Sequence, residues 1–133
     1  MQYSEPRQDS QHIYLNSLVS LLRDDLASLR TLIKTNRISH TQVIEKLILG
    51  KTEIAKVLGY NLVGQNEGDD DYLNILNNSN FNLIEYLLET EINQEKIILD
   101  ILKMLNYSKE KQLLIAELCN RNISLLKSRS NLD

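Results

Sequence analysis

The residues that could support nucleophilic or acid–base chemistry are few, and they lie far apart in the sequence. The chain has two histidines, His12 and His40, and one cysteine, Cys119. A catalytic nucleophile needs a base within hydrogen-bonding distance and a group that orients this base. The two histidines open successive predicted helices, which places them about 30–35 Å apart in an antiparallel hairpin. Cys119 falls in mid-helix, where cysteine is usually buried. We therefore expect no enzyme.

Two polar residues of the third predicted helix lie on a stripe that is otherwise apolar. They are Glu91 and Gln94, and the stripe follows 4-3-4-3-4 spacing through Leu87, Glu91, Gln94, Ile98, Ile101 and Leu105. They could mark a boundary between two apolar strips, or a buried polar layer that fixes helix pairing. Asn122, on the inner side of the fourth helix, is a third candidate for such a layer, since a core asparagine can specify a partner.

The segment Glu91-Ile92-Asn93-Gln94 faintly resembles the metal-binding motif of ferritin-like four-helix proteins. That family places Glu-x-x-His on bundle helices and binds two metal ions there. Here glutamine replaces the histidine, and no second Glu-x-x-His occurs. The resemblance covers about 20 residues and implies a degenerate ferritin-like bundle, similar in shape but without the metal site. No cysteine or histidine pair has zinc spacing and no glycine pattern suits a phosphate, so we expect no cofactor.

A second segment, Thr52-Glu-Ile-Ala-Lys-Val-Leu-Gly-Tyr60, resembles the first half of a bacterial helix-turn-helix. In that motif a small alanine packs against the next helix and a glycine makes the turn. A basic recognition helix should follow promptly. Instead the chain continues to three aspartates at 69–71, and its pI is about 5.4. DNA phosphates repel such a segment, so a nucleic-acid-binding regulator is an alternative that the charge disfavours.

Composition predicts the helices that would carry these residues. The 133 residues are 42% apolar and include 25 Leu and 14 Ile but only four Val, one Pro and four Gly. This composition favours helices over sheets, and it suits a single domain. No apolar run approaches the length of about 18 residues that a membrane span needs. The N-terminus has no signal-like pattern, so we expect a cytoplasmic protein.

Apolar residues recurring at intervals of three and four predict four helices. They span about residues 9–35, 41–58, 81–105 and 108–127, with one continuous second helix through Gly50 and a short extra turn at 72–76. We expect residues 1–8 to form a disordered tail and residues 9–133 to form one bundle domain. Short links make two antiparallel hairpins, joined by an acidic loop. The prediction is an all-α, up-down-up-down four-helix bundle, with Leu22, Leu26, Leu87, Ile98 and Leu118 in its core.

The acidic loop, residues 60–71, is expected to be the most mobile internal segment. It combines glycines and acidic residues with few apolar anchors.

The first and third helices have apolar stripes wider than the roughly 100° that one bundle face requires. A helix that is apolar on more than one side usually meets a second partner. We therefore expect protein–protein interaction or self-association as a homodimer, as in an adaptor, a chaperone or a regulatory subunit. The candidate interaction residues are Tyr14, Leu21, Tyr86 and Leu99. The alternative is that these side chains all belong to one large core.

Overall fold

The computed structural model describes residues 8–35, 41–62 and 83–130. Four helices contain 88% of them, and no strand occurs among them. They are α1 (Gln8–Thr35), α2 (Thr41–Val57), α3 (Leu83–Leu102) and α4 (Lys109–Ser130). The predicted all-α four-helix bundle is confirmed, and α2 is continuous through Gly50. Residues 1–7 of the predicted tail, His40, the turn at 72–76 and most of the acidic loop lie outside the described residues, whereas Gln8 is the first residue of α1.

Local side-chain and backbone chemistry determines where α2 ends and where α4 begins. Gly59 has a φ of 99°, a conformation that glycine adopts without strain. Its N–H donates to the carbonyl of Lys56, and the N–H of Tyr60 donates to the carbonyl of Ala55, both at 2.9 Å. This is a Schellman motif, which ends α2. The hydroxyl of Ser108 accepts a hydrogen bond from the N–H of Lys111 at 3.2 Å and caps the start of α4.

Two apolar clusters fill the interior, one toward each end of the bundle. The first contains Leu18, Leu22, Leu26, Ile54, Ala55, Leu58, Leu62, Ile98, Leu102, Leu105, Ile115, Leu118 and Cys119. The second contains Leu29, Leu32, Ile44, Leu47, Leu87, Leu88 and Leu126. All five residues predicted for the core, Leu22, Leu26, Leu87, Ile98 and Leu118, are buried.

The order of helix directions differs from the prediction. The start of α1 and the end of α3 lie together, because the Gln11 amide donates to the carbonyl of Met104 and accepts from the N–H of Asn106. The C-terminal half of α2 and the N-terminal half of α4 pack at this same end. The order is therefore up-down-down-up rather than up-down-up-down.

The physical reason is the long link between the hairpins. Leu62 packs at one end of the bundle and α3 begins at the other. The short links on either side fix antiparallel directions only within each hairpin. Helix α1 contacts α2 and α3, α4 contacts the same two helices, and all four neighbouring pairs are antiparallel.

Gly50 of α2 lies directly against the side chain of Asn122 in α4. A Cβ atom at this position would collide with Oδ1 of Asn122. We expect Gly50→Ala to lower the free energy of unfolding by about 1–3 kcal/mol, because the buried amide must move. In an Asn122→Ala background the same change is expected to stabilise by about 1 kcal/mol, since alanine is the better helix former. Urea unfolding of the four proteins measures both effects, and an equal effect in the two backgrounds would contradict this contact.

Candidate functional site

A fully buried lysine lies at the centre of the bundle, among three carboxylates. The Nζ atom of Lys51 in α2 donates a hydrogen bond to Glu95 Oε2 at 2.6 Å. It also forms ion pairs with Asp25 Oδ2 at 3.2 Å and with Glu91 Oε1 at 3.4 Å. Asp25 belongs to α1, and the two glutamates belong to α3. The four side chains are 0–3% exposed. We call these four residues the Lys51 cluster.

The helical repeat explains why these charged residues are buried. Lys51 lies on the inner face of α2, four residues after Leu47 and three before Ile54, both of which are 0% exposed. Asp25 occupies the corresponding position on α1, between Leu22 and Leu29. Residues three and four apart share one helix face. The packing of the leucine and isoleucine neighbours therefore carries the charged residues into the interior.

The carboxylates keep Lys51 in its charged form. Burial by itself lowers the pKa of an ammonium group, because desolvation disfavours the charge. Asp25, Glu91 and Glu95 act in the opposite direction, and their combined attraction raises the pKa of Lys51 well above its ordinary value. The cation is fixed in the core, and it links α2 to α1 and α3 at once.

Helix α4 adds two uncharged polar residues next to the Lys51 cluster. Cys119 is 0% exposed, and burial together with the Glu95 carboxylate raises the pKa of its thiol. Asn122 is 3% exposed, with its amide against Gly50, and its Nδ2 atom has no hydrogen-bond partner. All four helices therefore contribute polar side chains to this central region.

The Cys119 environment predicts a stability that declines in alkali. The pKa of the thiol is higher in the folded than in the unfolded protein. The thiol's contribution to the free energy of unfolding is therefore complete below the unfolded pKa and is lost as pH rises toward the folded pKa. Between about pH 8.5 and about pH 9.5 the free energy of unfolding of the wild type should fall by about 1 kcal/mol more than that of Cys119→Ala. Denaturant titrations at both pH values measure this difference. Identical losses in the two proteins would contradict the raised thiol pKa.

The predicted polar layer is only partly gathered at this site. Glu91 belongs to the Lys51 cluster, and Asn122 lies on the neighbouring helix. Gln94 is half-buried, and none of the hydrogen bonds or ion pairs of the cluster involves it. In the described part of the chain, no group of three or more His, Cys, Asp or Glu side chains is arranged to hold a metal ion. At the Lys51 cluster, the three carboxylates surround an ammonium instead.

Sequence reasoning missed Lys51, Asp25 and Glu95. The signal was present, because each occupies a position of an apolar stripe that a neutral core residue would normally fill. One lysine on α2 and acidic residues at matching depths on α1 and α3 indicate mutual pairing, since a buried charge requires a partner.

The predicted interaction residues contact the protein's own core. Tyr14, Leu21 and Leu99 are half-buried against the first apolar cluster, and Tyr86 against the second. Among the described residues, the large apolar side chains that are exposed lie elsewhere: Ile13, Leu49, Ile97, Met104, Leu113 and Leu114.

Within the described part of the chain, a surface groove lies on each of two sides of α4. The α3–α4 groove has a volume of about 570 Å³ and is lined by Lys96, Leu99, Asp100, Leu102, Lys103, Lys109, Gln112, Leu113 and Ala116. The α2–α4 groove has a volume of about 380 Å³ and is lined by Lys46, Leu49, Gly50, Glu53, Leu118, Arg121, Asn122 and Leu125. None of the four charged residues of the Lys51 cluster lines either groove.

Comparisons of this chain with protein-family models, with curated proteins and with solved structures found no match. Within the described ranges, none of the helices combines the length and the apolar character that crossing a membrane requires.

Proposed function

We propose that this protein is a cytoplasmic, non-enzymatic helical bundle that acts by binding another protein through its α3–α4 groove. The observation that carries the proposal is Leu113, a large apolar side chain in this groove that is 61% exposed. Leu99 and Ala116 extend the apolar surface beside it. Concave apolar surfaces rimmed by polar residues are typical of protein-binding sites.

The burial of the Lys51 cluster supports a structural role for its charges. Catalysis by these groups would require substrate to reach them, whereas their side chains are at most 3% exposed. Their ion pairs join three of the four helices. A substrate could reach them only if the bundle opened, so we assign recognition to the outer surface.

Self-association would be a second form of the same function, and the exposed leucines of a different surface, the α2–α4 face, support it. Leu49 of α2 is 69% exposed and lines the α2–α4 groove. Leu114, 46% exposed, lies one turn before Leu118 on the same side of α4. Two copies that pack these faces together would cover the leucines and form a homodimer.

A pair of matched variants tests the proposed function. Leu113 and Ile13 are both 61% exposed, but Leu113 lines the α3–α4 groove and Ile13 lies outside it. The tagged wild type, Leu113→Glu and Ile13→Glu are used to capture proteins from lysate of the native host. We expect a specific protein with the wild type and with Ile13→Glu, and its loss with Leu113→Glu. Equal recovery with all three would contradict binding at this groove.

Sedimentation across a wide concentration range distinguishes self-association from a separate partner. A homodimer through the α2–α4 face is expected to dissociate in Leu49→Glu and to persist in Ile13→Glu. A monomer at all concentrations, in the wild type as in both variants, would remove the homodimer and leave the separate partner.

A further inference from the structure

The α3–α4 groove is basic, although the whole chain is acidic. Three lysines and one aspartate line it, whereas the net charge of the chain is -3. Asp100 lies 3.9 Å from Lys103, and both side chains are 78% exposed. Exposed pairs of this kind contribute little. Lys96, Lys103 and Lys109 therefore give the groove a net positive rim.

The floor between these lysines is apolar. Leu102 is buried at its base, Leu99 is half-buried, and Leu113 projects from the α4 side. Ala116 has a small side chain, which leaves depth between the two helices. Gln112 is turned toward the backbone, because its side-chain amide donates to the carbonyl of Leu105 at 2.9 Å. The polar groups that remain for a ligand are thus mainly cationic.

We propose that the α3–α4 groove binds an acidic amphipathic helix of a partner protein; this inference rests on the proposed function. A groove between two helices accepts the apolar face of a third helix, with anchors at positions i, i+3, i+4 and i+7. Leucine-type anchors would cover Leu99 and Leu113. Glutamate or aspartate residues flanking the anchors would face Lys96, Lys103 and Lys109. Complementary charge of this kind favours acidic helices over basic ones.

The test uses two synthetic amphipathic peptides with the same leucine positions. One carries glutamates and the other carries lysines at the flanking positions. Fluorescence anisotropy measures their binding to the wild-type protein at low and at physiological salt. We expect the acidic peptide to bind about 10-fold more tightly or better than the basic one, with a preference that weakens as salt screens the charges.

A charge-reversal variant locates the contact. Lys96→Glu, Lys103→Glu and Lys109→Glu together should abolish binding of the acidic peptide. The control reverses three exposed lysines outside this groove, Lys34→Glu, Lys46→Glu and Lys56→Glu, and should keep the peptide preference. Circular dichroism checks that both variants remain helical. If they do not, Leu113→Glu replaces the triple variant in the same assay.

Three results would overturn this inference. They are no preference for the acidic peptide, equal loss of binding in the groove and control variants, and binding only to vesicles that contain phosphatidylserine. The capture experiment separates this failure from failure of the proposed function. If capture of a host protein requires Leu113 but that protein has no acidic amphipathic helix, the proposed function stands and the acidic-helix partner is refuted. Capture that is independent of Leu113 would refute the proposed function.

Discussion

Lys51→Met is expected to lower the free energy of unfolding by about 3–5 kcal/mol, because it leaves buried carboxylates without their cation. The Nζ atom is the common partner of Asp25, Glu91 and Glu95, at distances of 2.6–3.4 Å. Methionine has a similar length and fills much of the same space, so the loss reports the charge more than the volume. Chemical denaturation followed by circular dichroism measures this effect.

Two further variants separate charge from packing. Lys56→Met removes an exposed lysine of the same helix and should change stability by less than about 0.5 kcal/mol. Lys51→Met combined with Asp25→Leu, Glu91→Leu and Glu95→Leu removes both signs of charge. It should recover most of the loss, since apolar replacement of a whole buried ionic cluster is often neutral or stabilising. A Lys51→Met protein as stable as the wild type would contradict the electrostatic account.

Leu26→Ala should be the second large effect, a loss of about 2–5 kcal/mol. Leu26 is 0% exposed and lies in the first apolar cluster, one residue after Asp25 of the Lys51 cluster. The loss combines the transfer energy of the removed methyl groups with the cavity that they leave. The midpoint and slope of urea unfolding give the change in free energy.

Ile13→Ala is the matched control for Leu26→Ala. Ile13 also belongs to α1 but is 61% exposed, so truncating it should cost less than about 0.5 kcal/mol. Equal effects at the two positions would mean that α1 packs with a different face inward.

The spacing of leucine and isoleucine predicted the helices and their buried faces. Leu22 and Leu26 share the α1 stripe, Leu87 and Ile98 share that of α3, and all four are buried. These predictions succeed because a helix face is a local property of the sequence, repeated every three or four residues. The hydrogen bond by which the Ser108 hydroxyl caps α4 is equally local, because it joins residues three apart.

The direction of the second hairpin was not a local property. The link from Leu62 to Leu83 is long enough to enter α3 from either end of the bundle, so spacing alone did not distinguish the two orders. The hydrogen bonds of Gln11 in α1 with Met104 and Asn106, just beyond the end of α3, are the long-range contacts that establish the observed order. The spacing of apolar residues within one helix carries no information about such contacts.

Which apolar side chains are exposed was harder to predict for a related reason. Tyr14 and Leu21 extend the apolar stripe of α1, and the sequence does not show how much of a stripe the core consumes. In the structure both pack half-buried against the first apolar cluster. Leu113 lies on α4, whose apolar stripe is less regular than those of the other helices. The packing of α4 against α3 shows that Leu113 lines a groove and stays exposed.

The Lys51 cluster and the α3–α4 groove are connected through α3. Glu91 and Glu95 face inward to Lys51, and this fixes the rotation of α3 about its axis. With that rotation, Lys96 and Lys103 are exposed and line the groove on the outer side. The buried charges therefore help to set the geometry of the surface that we propose for binding.

Photo-crosslinking in living cells of the native host tests binding at this groove most directly. A photoreactive amino acid is placed at position 113, in the groove, or at position 13, which is equally exposed outside it. We expect a discrete protein adduct from position 113 and none of the same mass from position 13. No adduct at position 113, or the same adduct from both positions, would contradict the account.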